Sequence, residues 1–327
     1  MSRDLLRKPN PRCEVDYGYI NEPTLVSKIK PKAVKLGILL GLIFLIALVA
    51  SRRVGDSIAE HDYPVRGNVS VPQTPIQAAD TTLPDEPRHF DVEIPRVAEL
   101  VALIDDYPAA AVIAESIWRF PMQLVDLAIK NHETIDFVAD FLIYGRNITV
   151  NYGDIVIEDL SASGTIPHFI QWDRRWGYSY YGTEVMALVG CGPTALSMVA
   201  VGLTGNTVYN PRHVADFAQE HGYITTSNDT QWTLMSVGAQ SYGLSVREVP
   251  ADSNAIIAAL NRGEPIICSM RAGDFTTAGH FIVLSCANPD GTVNVLDSNS
   301  YIKSDAWALS QILPQMRNIW AFSLADS

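Results

Sequence analysis

The sequence lacks the short motifs that mark the commonest metal and nucleotide enzymes. It contains no HExxH, no pair of CxxC motifs and no calcium-loop pattern, which argues against metal-assisted hydrolysis. It also lacks the GxxxxGK sequence followed by Ser or Thr that cradles nucleotide phosphates, so nucleotide hydrolysis is not expected. We therefore expect neither a metal nor another cofactor.

Cysteine is scarce, with four residues in a chain of 327. Cys13 precedes the one long apolar run, and Cys191, Cys268 and Cys286 follow it. An odd number of cysteines on one side of that run leaves at least one unpaired, which excludes a complete disulfide framework. Cys268 in PIICSM and Cys286 in FIVLSC read as buried strand positions, where cysteine behaves as a small hydrophobe. Cys191 has no such explanation.

Basic residues are few in most of the chain. Residues 1–53 carry a net charge of +6, whereas residues 54–327 carry a net charge of −18. An acidic body repels the phosphate backbone of nucleic acids. We therefore expect no nucleic-acid partner.

The uncharged run from Leu36 to Ser51 is the one segment long and apolar enough to suggest a membrane span. As a helix it would be roughly 24 Å long, and flanking Lys and Arg side chains can snorkel to extend it. The positive-inside rule predicts a basic cytoplasmic tail (1–35), a single-pass anchor (36–51) and an extracellular body. Two alternatives stay open, a cleaved signal peptide that releases a secreted protein and a buried core helix.

Composition divides the rest of the chain into three parts. Residues 52–95 are rich in proline and predict an extended linker. Residues 96–146 have helical periodicity and predict a small helical module. Residues 164–327 predict an α+β domain, with helices near 193–201, 211–221, 230–241 and 253–261, followed by strands PIICSM, HFIVLSC, TVNVLD and WAFSL.

Cys191 lies in GCGPTALSM, at the predicted start of a helix. A helix N-terminus carries partial positive charge and free backbone N–H groups, which favour a reactive thiolate. Pro193 suits a first turn, and Gly190 and Gly192 would let a substrate backbone approach closely. The pattern indicates a nucleophile, and the plainer alternative is a buried cysteine in a tight turn.

A base and its orienting partner follow from the strands. His280 begins the strand HFIVLSC, where the strand would hold an imidazole rigidly. The turn signal NPDG joins this strand to TVNVLD, and a four-residue turn places Asp297 nearly opposite Ile282, close to His280. Asp297 is the expected orienting acceptor, with Asn299 as the fallback. The alternatives are a structural histidine and a turn-capping carboxylate.

An acyl-transfer site also needs donors for the oxyanion. The backbone N–H of Cys191 is one, and the amide of Gln171 in FIQWDRRW is the expected second, unless Gln171 is an ordinary polar residue. The aromatic residues that follow Gln171 either line the cleft or belong to the core; they are Trp172, Trp176, Tyr178, Tyr180 and Tyr181.

Six blocks together resemble the double-glycine (bacteriocin leader) peptidase-like family of bacterial papain-like cysteine peptidases. They are IPHFIQWDRRWGYSYYG, GCGPTALSMVAVGLTG, NPRHVADFAQEHGY, GEPIICSM, GDFTTAGHFIVL and VLDSNS, spread over roughly 164–324. The resemblance implies a papain-like fold, in which a cysteine helix packs on an antiparallel sheet. It implies Cys191 as nucleophile, His280 as general base and acid, Asp297 as orienter and Gln171 as oxyanion donor.

The chain departs from the family pattern in two ways. Members that trim bacteriocin leaders are fused to ABC transporters, whereas these residues include no P-loop and no further apolar run, so leader trimming is not carried over. The sequence DSNS replaces the commoner DPNS after Asp297 but keeps the carboxylate. We expect a membrane-anchored extracytoplasmic cysteine peptidase that acts on a peptide or protein. The alternatives are an amidase of cell-wall peptides and a non-catalytic peptide-binding module, and the helical module is a possible inhibitory segment.

Overall fold

The cysteine-bearing part of the chain folds around a mixed set of helices and one antiparallel sheet. The computed structural model describes residues 90–145, 155, 157 and 165–325. The α-helices are α1 (Pro95–Ala102), α2 (Ala110–Glu115), α3 (Met122–Lys130), α4 (Ile135–Ala139), α5 (Met186–Val189), α6 (Cys191–Thr204), α7 (Pro211–Glu220), α8 (Thr233–Ser236), α9 (Ser253–Asn261) and α10 (Leu309–Ile312). The strands are β1 (Tyr180–Tyr181), β2 (Glu184–Val185), β3 (Leu244–Glu248), β4 (Ile266–Met270), β5 (His280–Ala287), β6 (Thr292–Asp297), β7 (Ala306–Ala308) and β8 (Met316–Leu324).

Short helices of other types connect these elements. The 3-10 turns are Ile117–Arg119, His132–Thr134, Thr207–Tyr209, Gly238–Tyr242 and Leu313–Gln315, and Phe141–Gly145 is a π-helical turn. Strands β1 and β2 pair as a small hairpin. The main sheet has the order β3-β8-β4-β5-β6-β7, and its strand pairs are antiparallel. The expected α+β class is thereby confirmed.

Strand β5 lies inside the sheet and separates two hydrophobic cores. Phe281 and Val283 face the first core, and Ile282 and Leu284 face the second, as the two-residue period of a strand requires. Helix α6 belongs to the first core and packs against β5 and α7. Helix α9 packs over β4 and β5 on the second core. A central strand buried on both faces gives the site a rigid base.

Helix α6 has clear local reasons to begin and end where it does. It begins directly after Gly190, and it ends at Gly205, whose φ of 70° is left-handed and whose N–H donates to Val201 O at 2.8 Å. Almost every residue between is buried, so the helix shows no polar stripe. The predicted range of about 193–201 was therefore too short at both ends.

The helical segment, which we define as residues 95–145, has a hydrophobic core of its own. Its helices α1 to α4 bury residues such as Leu100, Ile113 and Leu124. That core also includes Tyr178 and Ala187, which belong to the stretch leading to Cys191. The segment therefore packs directly on the part of the chain that carries the cysteine.

Several sequence predictions concern residues outside the described ranges. The predicted cytoplasmic tail (1–35) and the predicted anchor (Leu36–Ser51) lie there, as does most of the predicted linker (52–95). Within the described ranges, no helix combines the length and the apolar character that a membrane crossing needs. The division into these parts stays a prediction.

Candidate active site

Cys191 is the first residue of the buried helix α6. Its thiol is half-buried and forms no disulfide. The first N–H groups of an α-helix have no acceptor one turn earlier, and the helix dipole adds positive potential at this end. Cys191 therefore presents its sulfur where negative charge is stabilised.

The glycines beside Cys191 make room for the protein itself. A Cβ on Gly192 would lie 2.5 Å from Thr230 Oγ1, and a Cβ on Gly190 would lie 2.6 Å from the carbonyl oxygen of Met186. Both glycines are buried. The side chain of Thr230 and the backbone of Met186 occupy the space that a side chain would need, which favours glycine at both positions. The approach of a substrate backbone stays a prediction.

The predicted hairpin brings His280 and Asp297 together. Strands β5 and β6 pair with Asp297 opposite Ile282, which is the predicted register. The His280 Nε2 atom lies 2.6 Å from Asp297 Oδ1. His280 is 8% exposed and Asp297 is fully buried, so water competes little with this contact.

The pKa of His280 reflects both neighbours. Burial lowers this pKa, but the charge of Asp297 and its hydrogen bond raise it, and a hydrogen bond and charge interaction with Cys191 raise it further, to about 10 in total. Since Nε2 is taken by Asp297, Nδ1 is the ring nitrogen that remains for Cys191. The imidazole therefore stands between the carboxylate and the thiol, and it is protonated at neutral pH.

The backbone around Asp297 is held by polar contacts. Asp297 Oδ1 also accepts from the N–H of Asn299 at 2.8 Å, and the Asp297 N–H donates to Ser304 Oγ at 2.8 Å. The carbonyl oxygen of Asp297 lies 2.8 Å from His168 Nε2. Asn299, the fallback orienter, thus supports Asp297 through its backbone rather than replacing it.

His168 is a residue whose position the sequence reasoning missed. It is 5% exposed, and burial lowers its pKa, so the ring is neutral at neutral pH. Its ring meets Tyr301 edge-on, with centroids 5.2 Å apart. The apolar neighbours in IPHFI indicate burial, but no local pattern indicates that the ring lies behind Asp297.

Gln171 lies between the two ends of the site. Its Nε2 donates to the carbonyl oxygen of Ala187 at 2.9 Å, and its N–H donates to Ser298 O at 2.6 Å. Ala187 belongs to helix α5, which precedes Cys191, and Ser298 directly follows Asp297. An amide nitrogen has two hydrogens, and Ala187 accepts one of them. The other hydrogen is the one that an oxyanion would use.

Most of the aromatic residues after Gln171 belong to the core. Trp176, Tyr178 and Tyr181 are at most 3% exposed, whereas Tyr180 is 59% exposed. Trp172 is half-buried, and its indole N–H donates to Asn299 O at 3.1 Å. Of the five residues, Tyr180 alone projects into solvent over most of its surface.

Metal binding has no support in the described ranges. No group of three or more His, Cys, Asp or Glu residues there is arranged to hold a metal ion. The expectation that no cofactor takes part stays a prediction.

A protein-family model matches the part of the chain that contains the candidate site. Residues 164–321 match the Peptidase_C39 like family, and this range contains Gln171, Cys191, His280 and Asp297. None of the curated proteins compared with the chain matches it. A solved structure, the peptidase domain of Streptococcus ComA, a bifunctional ABC transporter involved in quorum sensing, is 19% identical. The similarity covers 42% of this chain and 93% of that chain, with a TM-score of 0.34. By the family match, residues 164–321 are similar to a family of cysteine peptidases.

Proposed function

We propose that this chain is a cysteine peptidase of the papain-like type, with Cys191 as nucleophile, His280 as general base and acid, and Asp297 as orienter. The observation that carries the proposal is the series of contacts from the half-buried Cys191 through His280 to the buried Asp297. A sulfur, an imidazole and a carboxylate in this order support the proposal, because nucleophilic acyl transfer uses such a series.

The reaction proceeds through a thioester. The thiol of Cys191 gives its proton to His280, and its sulfur attacks the carbonyl carbon of the peptide bond while the carbonyl electron pair moves to oxygen. The backbone N–H of Cys191 and the second Nε2 hydrogen of Gln171 donate to that oxyanion. The C–N bond then breaks as His280 gives its proton to the leaving amine. Water, deprotonated by His280, hydrolyses the thioester and releases the acid.

Hydrolysis by the purified full chain tests this function. A peptide library and a set of cell-wall muropeptides are offered to the wild type, to Cys191→Ala and to Asp136→Ala, which removes an exposed charge far along the chain from the cysteine. We expect cleaved products from the wild type and Asp136→Ala only. In the active proteins, mass spectrometry should show the acyl part of the substrate added to the peptide that contains Cys191. Products from Cys191→Ala at the wild-type rate would exclude Cys191 as the nucleophile.

The same experiment separates the alternatives. Cleavage restricted to muropeptides would identify a cell-wall peptide hydrolase rather than a general peptidase. Binding of a library peptide without cleavage, equal in the wild type and Cys191→Ala, would identify a peptide-binding module.

We also propose that the chain is anchored through Leu36–Ser51, with the site on the extracellular side. The basic flank before this apolar run and the acidic residues after it support the proposal. Protease treatment of intact cells should degrade the part of the chain that carries Cys191. A mature N-terminus near residue 51 would instead indicate a cleaved signal peptide and a secreted protein.

A further inference from the structure

The helical segment reaches the site at the turn that follows Asp297. We call residues 297–304 the aspartate turn. The carboxylate of Glu133 accepts from the hydroxyl of Ser300, from the N–H of Tyr301 at 2.7 Å and from the N–H of Ile302 at 3.3 Å. A half-buried carboxylate with three donors from one turn fixes the path of that turn, because charge-assisted hydrogen bonds are strong and directional.

A second residue of the helical segment strengthens this contact. Asn131 Nδ2 donates to Asn299 O at 2.8 Å, and Asn131 Oδ1 accepts from the N–H of Glu133 at 3.2 Å. Asn131 and Glu133 thus meet consecutive parts of the aspartate turn from one short stretch of chain. These contacts join residues more than 160 positions apart in sequence.

Hydrogen bonds inside the turn carry this constraint to Asp297. Ser300, whose hydroxyl donates to Glu133, accepts through its carbonyl oxygen from Ser304 Oγ at 2.7 Å. Ser304 Oγ in turn accepts from the N–H of Asp297 at 2.8 Å. The side chain of Asp297 then meets His280. A continuous series of contacts therefore leads from Glu133 to the imidazole.

We propose that Glu133 is a positioning residue, through which the helical segment holds Asp297 in register with His280. This inference rests on the proposed function. It assigns to the helical segment a supporting role at the site, in place of the inhibitory role considered from the sequence.

Few other titratable groups face this series of contacts. His280 meets Asp297 and Cys191, and His168 lies behind the backbone of Asp297. Burial raises the pKa of the Tyr301 hydroxyl, the charges of Asp173 and Glu133 raise it further, and that of Arg175 lowers it. The charge of Glu133 could also act directly on His280. A variant that keeps this charge is therefore needed to separate that effect from the positioning of Asp297.

The test uses three variants of the full chain and one control. Glu133→Ala removes all three acceptor contacts, Glu133→Gln keeps an acceptor oxygen without the charge, and Ser300→Ala breaks the side-chain link while Glu133 keeps its charge. Asp136→Ala, an exposed acidic residue of the same segment, is the matched control. Thermal unfolding of each variant shows whether it folds.

We expect the loss of activity to follow the loss of contacts. Glu133→Ala should lower kcat about 10- to 100-fold while KM changes less than about threefold, because a small misplacement of a catalytic group is costly. Glu133→Gln and Ser300→Ala should lie between Glu133→Ala and the wild type. The alkaline limb of the pH profile should move to lower pH in the same order, since a displaced Asp297 raises the pKa of His280 less.

A second readout does not depend on peptide hydrolysis. In protein labelled with ¹⁵N-histidine, the titration midpoint of the His280 ring should move to lower pH in Glu133→Ala and Ser300→Ala but not in Asp136→Ala. If the wild type cleaves nothing yet the midpoint moves, positioning stands and the proposed function falls. If the wild type is active and kcat, pH profile and midpoint are unchanged in all three variants, the positioning role is wrong.

Discussion

The two halves of the site are held in place by different forces. The cysteine half is a helix whose residues are buried in an apolar core, with Gly190 and Gly192 packed against neighbouring atoms. The aspartate half is a turn held by hydrogen bonds to its own hydroxyls, to His168 and to Glu133. Close packing tolerates little change in volume, whereas a hydrogen-bonded turn tolerates volume changes but depends on donors and acceptors.

The largest effect should come from the reacting atom of the cysteine half. Cys191→Ala should abolish peptide hydrolysis, with a loss of at least about 10⁴-fold in kcat, because alanine has no sulfur to form the thioester. Its thermal unfolding should match that of the wild type, since Cys191 is only half-buried. Turnover assays check the loss of hydrolysis, and calorimetry checks the unchanged thermal unfolding. If Cys191→Ala still turned over substrate, and a further mutation outside the cysteine half removed that turnover, the nucleophile would not lie in the cysteine half.

The aspartate half should show its effect in the pH profile. Asp297→Asn should lower kcat/KM about 100-fold, since the imidazole loses its charged orienter. Asp297 raises the pKa of His280, so protonated His280 persists to about pH 10 in the wild type. Removing this charge lowers that pKa, and the alkaline limb of kcat/KM should move to lower pH.

Matched rate profiles of the wild type and Asp297→Asn between pH 5 and pH 11 check this result, and Asn299→Ala is the control for the fallback orienter. An alkaline limb that stays in place would show that His280 does not depend on Asp297.

Adding a methyl group in the cysteine half should lower the free energy of unfolding, because this half is closely packed. Glycine to alanine within a helix is ordinarily stabilising, but the added Cβ in Gly192→Ala would collide with Thr230. We expect a loss of about 1–3 kcal/mol in the free energy of unfolding, as for other overpacked sites. Gly279→Ala is the control, because its Cβ meets nothing within 4 Å. Denaturant unfolding measures both, and equal stability of the two variants would contradict the packing argument.

The smallest effect should come from the contact between the helical segment and the stretch before Cys191. The hydroxyl of Tyr178 donates to Phe137 O at 2.5 Å, and the two rings stack at 4.2 Å. Tyr178→Phe keeps the stacking and removes one hydrogen bond, so it should cost about 1 kcal/mol of unfolding free energy. Tyr180→Phe, at an exposed position, is the control and should cost less. Equal costs would show that this polar contact adds nothing to the packing.

Local patterns predicted the elements that the site needs. The turn signal NPDG predicted the β5–β6 hairpin, and Asp297 lies opposite Ile282 as expected, beyond a register shift between Leu284 and Cys286. Helix α9 has the predicted range Ser253–Asn261, because Asp252 caps it by accepting from Ala255 N–H at 3.0 Å. Strands β4, β5 and β6 follow PIICSM, HFIVLSC and TVNVLD. These features depend on residues close together in sequence.

Other features depend on contacts that no local pattern shows. The helix predicted at 230–241 is divided into α8 and a 3-10 turn that begins at Gly238, and strand β3 has no clean alternation of buried and exposed residues. The roles of His168 and Glu133 rest on partners more than 120 positions away. Their residue types were readable in the sequence, but their partners were not.

Because two of the three described cysteines are fully buried in strands, the third can be quantified by thiol labelling. Cys268 and Cys286 are inaccessible, and burial raises the pKa of Cys268 far above its ordinary range. Among the described residues, Cys191 is thus the one thiol that a small alkylating reagent can reach in the folded state. In a Cys13→Ser background, a folded chain should take up one label and an unfolded chain three, so the label count reports folding around Cys191 even before a substrate is known.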